Sequence, residues 1–312
     1  MGDVIKYRAL VISIAIVASL EFVAPAMGQA PELVPQPSAV VWTGKPGPQG
    51  SEEGQLRRQF WQVPPPVVGQ MPLKATVYRP LGDGPFPLAV VSHGGTTDAA
   101  KRRKLSLPDM IAVSEWLVSH GFVVIVPQRR NYGDDPNPFA EDHGQCATPD
   151  FRKAGLATAD DIRTAADFMK AQVFVDPKRV LLVGHSAGAF GSLVLGATGY
   201  ADVIGVINFG AGKGAFPKGD WRQNCAPQLL IKTMKIFGAT TRVPSLWIYA
   251  ENDKFFQPDF IKMMQEAYDA KRGISTLLIT PPHGDDGHGM VNWRNARGMW
   301  SDAAATFLEK LK

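Results

Sequence analysis

The sequence predicts an α/β protein built on one eight-stranded, mostly parallel sheet with helices on both faces and a small cap segment. Three observations predict it. Short apolar runs rich in Val, Ile and Leu recur along the chain, and they alternate with longer segments of helical spacing. One run, Val180-Leu181-Leu182-Val183, passes directly into Gly184-His185-Ser186-Ala187-Gly188. Strands buried on both faces read as continuous apolar runs, and parallel connections need helices between strands. No internal repeat is visible, and about 280 residues beyond the N-terminal leader suit one domain.

Taken in order, the chain opens on a processing signal. Lys6 and Arg8 precede an apolar run from Ala9 to Leu20, Glu21 interrupts it, and small residues gather at Ala24, Ala26, Gly28 and Ala30. This is the pattern of a secretory signal peptide over residues 1–28, cleaved between 26 and 30, and the run is short for a retained membrane anchor. The expected location is secreted or periplasmic, with no stable membrane insertion after cleavage. Residues 29–54, rich in Pro, Gly and Gln, read as an irregular lead-in to a main domain over 55–312. Leu56 to Val63 and Leu73 to Tyr78 read as opening antiparallel strands. Six more follow: Pro87 to Ser92, Phe122 to Pro127, Val180 to Gly184, Val203 to Phe209, Ser245 to Ala250 and Ile274 to Thr280. Helical patterns cover Pro108 to His120, Ala157 to Gln172, Ala187 to Ala197, Pro258 to Lys271 and Trp293 to Leu311. Gly210 to Thr241, with Phe216, Trp221 and Phe237, reads as a short cap over a pocket.

The Gly184 to Gly188 junction is a G-x-S-x-G turn between strand and helix, where flanking glycines make room for a serine held up in a cleft. A serine hydroxyl is a poor nucleophile near neutral pH, so a base and an orienting carboxylate are needed. Asp253 follows a strand in Glu251-Asn252-Asp253, with Glu251 as its rival. His288, bracketed by Gly287 and Gly289, lies in the loop after the last strand, with His283 as its rival. His283, Asp285, Asp286 and His288 also have metal-ligand chemistry, but no helical H-E-x-x-H frame accompanies them, and neither a metal nor a cofactor is expected. An acyl-transfer oxyanion needs backbone N–H donors. Ala187 supplies one from the turn; Gly95, in His93-Gly94-Gly95-Thr96-Thr97, is the expected second, with Thr96 next and His93 bracing the loop.

These residues, with Val124 to Gly133 and the helix Asp160 to Phe168, make the chain resemble the α/β-hydrolase superfamily from about Leu56 to Leu311, and within it the dienelactone-hydrolase-like small esterases. The order Ser186, Asp253, His288 is the order associated with that superfamily. The resemblance implies hydrolysis of carboxylic esters or lactones without a cofactor. Dienelactone hydrolase itself uses a cysteine nucleophile, so Ser186 makes a serine esterase the nearer analogue. A prolyl-oligopeptidase-type peptidase would share the triad, although the chain is short of the several hundred residues that form a gating propeller. A non-catalytic binding protein on the same fold would lack triad members.

Two cysteines, Cys146 and Cys225, suit pairing in an oxidising compartment and would join loops at the carboxyl edge of the sheet; two free buried thiols are the alternative. The formal charge of +4 is mild, and Lys6 and Arg8 cancel Asp3 and Glu21 in the leader. Lys101-Arg102-Arg103-Lys104 reads as a solvated loop, or as a patch that steers an anionic substrate. No nucleic-acid motif accompanies it, and the expected partner is a small-molecule ester. Arg129 and Arg130 read either as carboxylate ligands or as partners of Asp134 and Asp135. The sequence leaves the oligomeric state open.

Overall fold

The computed structural model describes residues 42–216, 219–272 and 274–312, so the expected signal peptide lies outside the described residues. Among them, nine strands form one sheet: β1 Gly47–Glu53, β2 Arg58–Val63, β3 Leu73–Tyr78, β4 Phe86–Ser92, β5 Val123–Pro127, β6 Val175–His185, β7 Val203–Phe209, β8 Ser245–Ala250 and β9 Ser275–Thr280. The spatial order is β1-β2-β3-β5-β4-β6-β7-β8-β9. β1, β2, β3 and β5 pair antiparallel in turn, and every pairing from β5 through β4 to β9 is parallel.

The ninth strand is β1. The expected irregular lead-in is a strand over its last residues, paired to β2 from Gly47↔Gln62 to Glu53↔Arg58 with an irregular register between Gln49 and Glu53. Its composition hides it, because an exposed edge strand needs no apolar alternation.

Helices α1 Ala99–Arg103, α2 Ile111–Ser119, α3 Phe151–Lys170, α4 Ala187–Ala197, α5 Pro227–Gly238, α6 Pro258–Asp269 and α7 Ser301–Glu309 complete the fold. The two-residue period of the strands deals their apolar side chains to opposite faces. Leu88, Val90, Leu182, Val206 and Trp247 pack with Ile162 of α3, Phe190 of α4, Met234 of α5 and Phe260 of α6. Ala89, Val91, Leu181, Val183, Ile207 and Leu246 pack on the other face with Val113 and Leu117 of α2 and with Trp300 and Phe307. Burial of each large aliphatic side chain contributes about 1.5–3 kcal/mol, which is why these strands carry no polar alternation.

Three expected segments differ in detail. The C-terminal pattern splits into a 3-10 stretch, Arg294–Met299, and α7, because the fully buried Trp300 between them leaves helical geometry to set its ring edge-on against Trp116 and Phe209. The basic tetrapeptide stays exposed at Lys101, Arg103 and Lys104, as expected, but it is helical rather than a loop. It forms α1, capped by Asp98, and buries Arg102, whose guanidinium donates to the carbonyls of Thr96 and Thr97 and lies 3.6 Å over Phe139. The expected cap also divides. Gly212 to Phe216 line the pocket, whereas α5 joins the helix layer, with Phe237 against Phe190; Trp221 stacks on Phe260 at 4.7 Å. Apolar side chains at helical spacing found a core to bury in and left little to cover the pocket.

Cys146 and Cys225 form a disulfide, with Cα atoms 4.7 Å apart and a sequence separation of 79. It ties the loop after β5 to the loop after β7. Iodoacetamide on the denatured, non-reduced protein should therefore add no mass, and should add two adducts after reduction; two adducts without reduction would mean free thiols.

Candidate active site

The turn between β6 and α4 places Ser186 at φ 53°, ψ −120°, a backbone region that a side chain other than glycine occupies at a cost of about 1–3 kcal/mol. The surroundings enforce it. Ser186 N–H donates to Phe209 O at 2.8 Å, and Ser186 O accepts from Phe190 N–H at 3.0 Å. Neither flanking glycine has room for a Cβ: at Gly184 it would lie 2.5 Å from Ala189 N, and at Gly188 it would strike the carbonyls of Ser92 and His93. The strand, the turn and the loop after β4 are in backbone contact here.

Asp253 and His288 come together from the loops after β8 and β9. His288 Nδ1 lies 2.8 Å from Asp253 Oδ2, both residues being buried, while Asp253 Oδ1 accepts from the Phe255 and Phe256 amides at 2.8 and 2.9 Å. That bond fixes the imidazole with Nδ1 as donor and leaves Nε2 as the free nitrogen. Asp286 bridges the two loops, accepting from Lys254 N–H and His288 N–H at 3.1 Å. His185, beside the serine, donates from Nε2 to His288 O at 2.9 Å, so the turn and the histidine loop are tied directly. Gly210 is needed as well, since a Cβ there would sit 2.9 Å from the His288 ring. The rivals lie apart from this pair: Glu251 is exposed, and the His283 main chain bonds to the Asn252 side chain. Among the described residues no group of three or more His, Cys, Asp or Glu side chains is arranged to hold a metal ion.

Ser186, Ala187 and Gly95 line one cavity of about 510 Å³, within the usual range for small-molecule sites. A Cβ on Gly95 would collide with the Tyr132 hydroxyl and come within 3.1 Å of Ala187 Cβ, so the two backbones meet at the cavity wall.

Arg129 holds this loop. Its guanidinium donates to Ser92 Oγ at 2.9 Å, His93 O at 2.5 Å and Gly94 O at 3.2 Å, and its own amide donates to His93 Nε2 at 3.1 Å. His93 therefore carries its proton on Nδ1, which donates to Gly94 O at 2.6 Å, and it braces the loop as the sequence predicts. Glu141 pairs with Arg129 at 2.5 Å and with the Lys213 ammonium at 2.9 Å, all three groups being buried. Arg130 pairs instead with Asp161 of α3 at 2.6 Å. Neither arginine pairs with Asp134 or Asp135, as one of the two sequence readings had it: Lys74 takes Asp134, and Asp135 accepts from the Asn131 and Asn137 amides.

Glu141, Lys213 and Tyr132 are members the sequence reading missed, and Asp286, considered there only as a metal ligand, instead bridges the two loops. Glu141 lies twelve residues after Arg129 in a loop without periodicity, and Lys213 comes from another strand end altogether. A glutamate and a lysine inside Pro- and Gly-rich loops are the only signals present.

A family model described as the alpha/beta hydrolase family matches residues 90–304, more than half of the chain, and the chain belongs to that family. A curated relative, poly(3-hydroxyalkanoate) depolymerase C of Paucimonas lemoignei, is 29% identical over 164 residues, 52% of this chain and 34% of that protein. The chain thus matches about a third of that relative's length. Among solved structures, a cold-adapted esterase from an Arctic intertidal metagenomic library has a TM-score of 0.55 at 17% identity, covering 87% of this chain and all of that one. Dipeptidyl peptidase 4 of Porphyromonas gingivalis has a TM-score of 0.53 at 16% identity, covering 80% of this chain and 36% of its own. At such identities the structural likeness establishes the fold, which carries esters and peptides alike.

Charge in the site sets a pH dependence of stability. Burial first, then Arg129, pushes His93 down to about 3, and burial with the nearby His288 does the same to His185. Burial pushes Glu141 up, but the Arg129 and Lys213 charges overcome it and hold the carboxyl below its ordinary value of 4.5. Below the ordinary histidine value of 6.5 the unfolded chain binds protons that these folded rings refuse, so stability should fall on acidification from that point, and further below 4.5 as Glu141 joins. Thermal midpoints read from pH 7.5 to 4 check this. Glu141→Gln should cost about 3–5 kcal/mol at neutral pH by leaving two buried cations short of a counter-charge, and that deficit should narrow below the glutamate's ordinary value. A deficit independent of pH would show that the carboxylate charge is not what holds the site.

Proposed function

We propose that the chain is an exported serine esterase that cleaves carboxylic ester or lactone bonds through Ser186, His288 and Asp253. The observation that carries the reading is the strained Ser186 turn opening on the same cavity as Gly95 and Ala187, with a hydrogen-bonded His288–Asp253 pair tied to it through His185. The matched relative, named for a polyester, supports ester chemistry. The disulfide supports export, and no helix among the described residues is long and apolar enough to cross a membrane.

His288 Nε2 takes the Ser186 hydroxyl proton as the oxygen attacks the ester carbonyl carbon. The amides of Gly95 and Ala187 donate to the oxyanion. The carbon–oxygen bond to the alcohol then breaks, with His288 returning its proton to the leaving oxygen. Water repeats the sequence on the acyl-enzyme: His288 accepts a water proton, the hydroxide oxygen attacks, and Ser186 leaves with the proton. Asp253 holds the imidazole tautomer and stabilises its cation.

Purified mature protein should hydrolyse a p-nitrophenyl ester series, with a chain-length optimum set by the cavity, and Ser186→Ala should reduce hydrolysis to background while keeping the thermal midpoint, since alanine retains the Cβ and with it the same backbone setting. Asp253→Asn should lower turnover about 10⁴-fold, the effect of the same change in the serine-protease template. Undiminished activity in Ser186→Ala would overturn the mechanism. Inactivity on every ester, with release from proline p-nitroanilides, would favour the peptidase.

A further inference from the structure

Gly94 O and Gly95 N–H belong to one peptide unit, and a trans peptide points them in opposite directions. That carbonyl accepts from two donors, the Arg129 guanidinium at 3.2 Å and His93 Nδ1 at 2.6 Å. Arg129 is fully buried and is itself fixed by Glu141 Oε1, Ser92 Oγ and His93 O. Its own amide, bonded to His93 Nε2, sets the tautomer that makes His93 the second donor. Gly95 borders the cavity beside Ser186, and among the described residues no main-chain oxygen accepts from its N–H. Two successive glycines carry no side chain to pin the plane between them. Turned over, the same unit would present its carbonyl to the cavity and repel an oxyanion.

We propose that Arg129 is a positioning residue for the reaction: through the Gly94–Gly95 peptide it aims the Gly95 N–H into the cavity and strengthens it as a donor to the oxyanion. The inference rests on the serine-esterase reading above. A cation bonded to a peptide carbonyl draws electron density from the amide nitrogen, and hydrogen bonds joined in a chain polarise one another. At this depth little water screens the effect. His93 holds the same carbonyl as a neutral ring, so the charge comes from Arg129. The strengthened N–H meets a full negative charge only in the tetrahedral intermediate, so the contribution falls on kcat rather than on KM.

Arg129→Gln leaves Glu141 paired with Lys213 and so strands no buried carboxylate. Its kcat on p-nitrophenyl butyrate, per active site titrated with a fluorophosphonate, should fall about tenfold or more while KM stays within about twofold; deleting an oxyanion donor outright costs about 10²–10³. Phenylboronic acid adds to Ser186 Oγ, the proton passing to His288 and no group leaving, and its tetrahedral adduct should weaken by the same factor as kcat. Asp161→Asn, which uncharges the neighbouring buried pair with Arg130, should lower the thermal midpoint and leave kcat per titrated site unchanged. A smaller fall in kcat, a boronate affinity that does not follow it, or an equal fall in Asp161→Asn overturns the role of Arg129 and leaves the ester reading standing. If the wild type hydrolyses no ester yet binds the boronate through Ser186, the ester reading fails and the boronate affinities decide the role of Arg129. Neither hydrolysis nor boronate binding in the wild type overturns both. Should Arg129→Gln not fold, Arg129→Lys decides: it keeps the charge beside Glu141, loses the planar fork that reaches Gly94 O, and should show the same split between kcat and KM.

Discussion

The buried guanidinium of Arg129 is the interaction on which the site depends. It reaches the last residue of β4 and the first two residues of the loop beyond, and it does so from the end of β5, the neighbouring strand. An isolated charge at this depth would be prohibitively unfavourable, so Glu141 must come in beside it, and Lys213 follows from the loop after β7. One ion cluster thereby fixes three separate loops at the carboxyl edge of the sheet. The Cys146–Cys225 disulfide lies along the same seam, joining the segment that carries Glu141 to the one that carries Lys213. Covalent and electrostatic ties therefore restrain the same wall of the cavity.

At the Ser186 turn, next to that wall, restraint comes from crowding. The Ser186 turn is in an unfavourable backbone region, yet no relaxed alternative is open, because the Ser92 and His93 carbonyls press on Gly188 and the Ala189 backbone presses on Gly184. His185 turns the crowding to use: its ring packs under Gly94 and reaches across to the His288 main chain. The serine, the histidine loop and the Gly95 loop are thus positioned by one set of contacts around His185. A parallel sheet makes this possible by delivering the ends of β4, β6, β8 and β9 to a single edge, where loops remote in sequence converge.

What was legible in the sequence was whatever rests on local pattern. β7, β8 and helix α4 begin and end where their largely apolar runs do, because elements buried all round must be largely apolar. The Gly184 to Gly188 turn was legible because its glycines answer to steric demands within a few residues. Asp253 and His288 were legible from their places after strands, and they do meet. β1 and α1 were not legible: an exposed edge strand and a short helix capped by Asp98 carry no apolar period, and Arg102 looks like any surface arginine until Phe139 and the Thr96 and Thr97 carbonyls surround it.

The sequence by itself determined the fold class, the serine turn and the order in which the proposed catalytic side chains occur along the chain, since each follows from the spacing of apolar residues and glycines near one another. Only the tertiary structure decided which charges are partners. Arg129 chose Glu141 over Asp134 and Asp135, Arg130 chose Asp161, and Lys213 joined Glu141 from another strand end. The physical reason is that Coulomb attraction and desolvation depend on separation and burial in space, and a one-dimensional pattern records neither for residues on different strand ends.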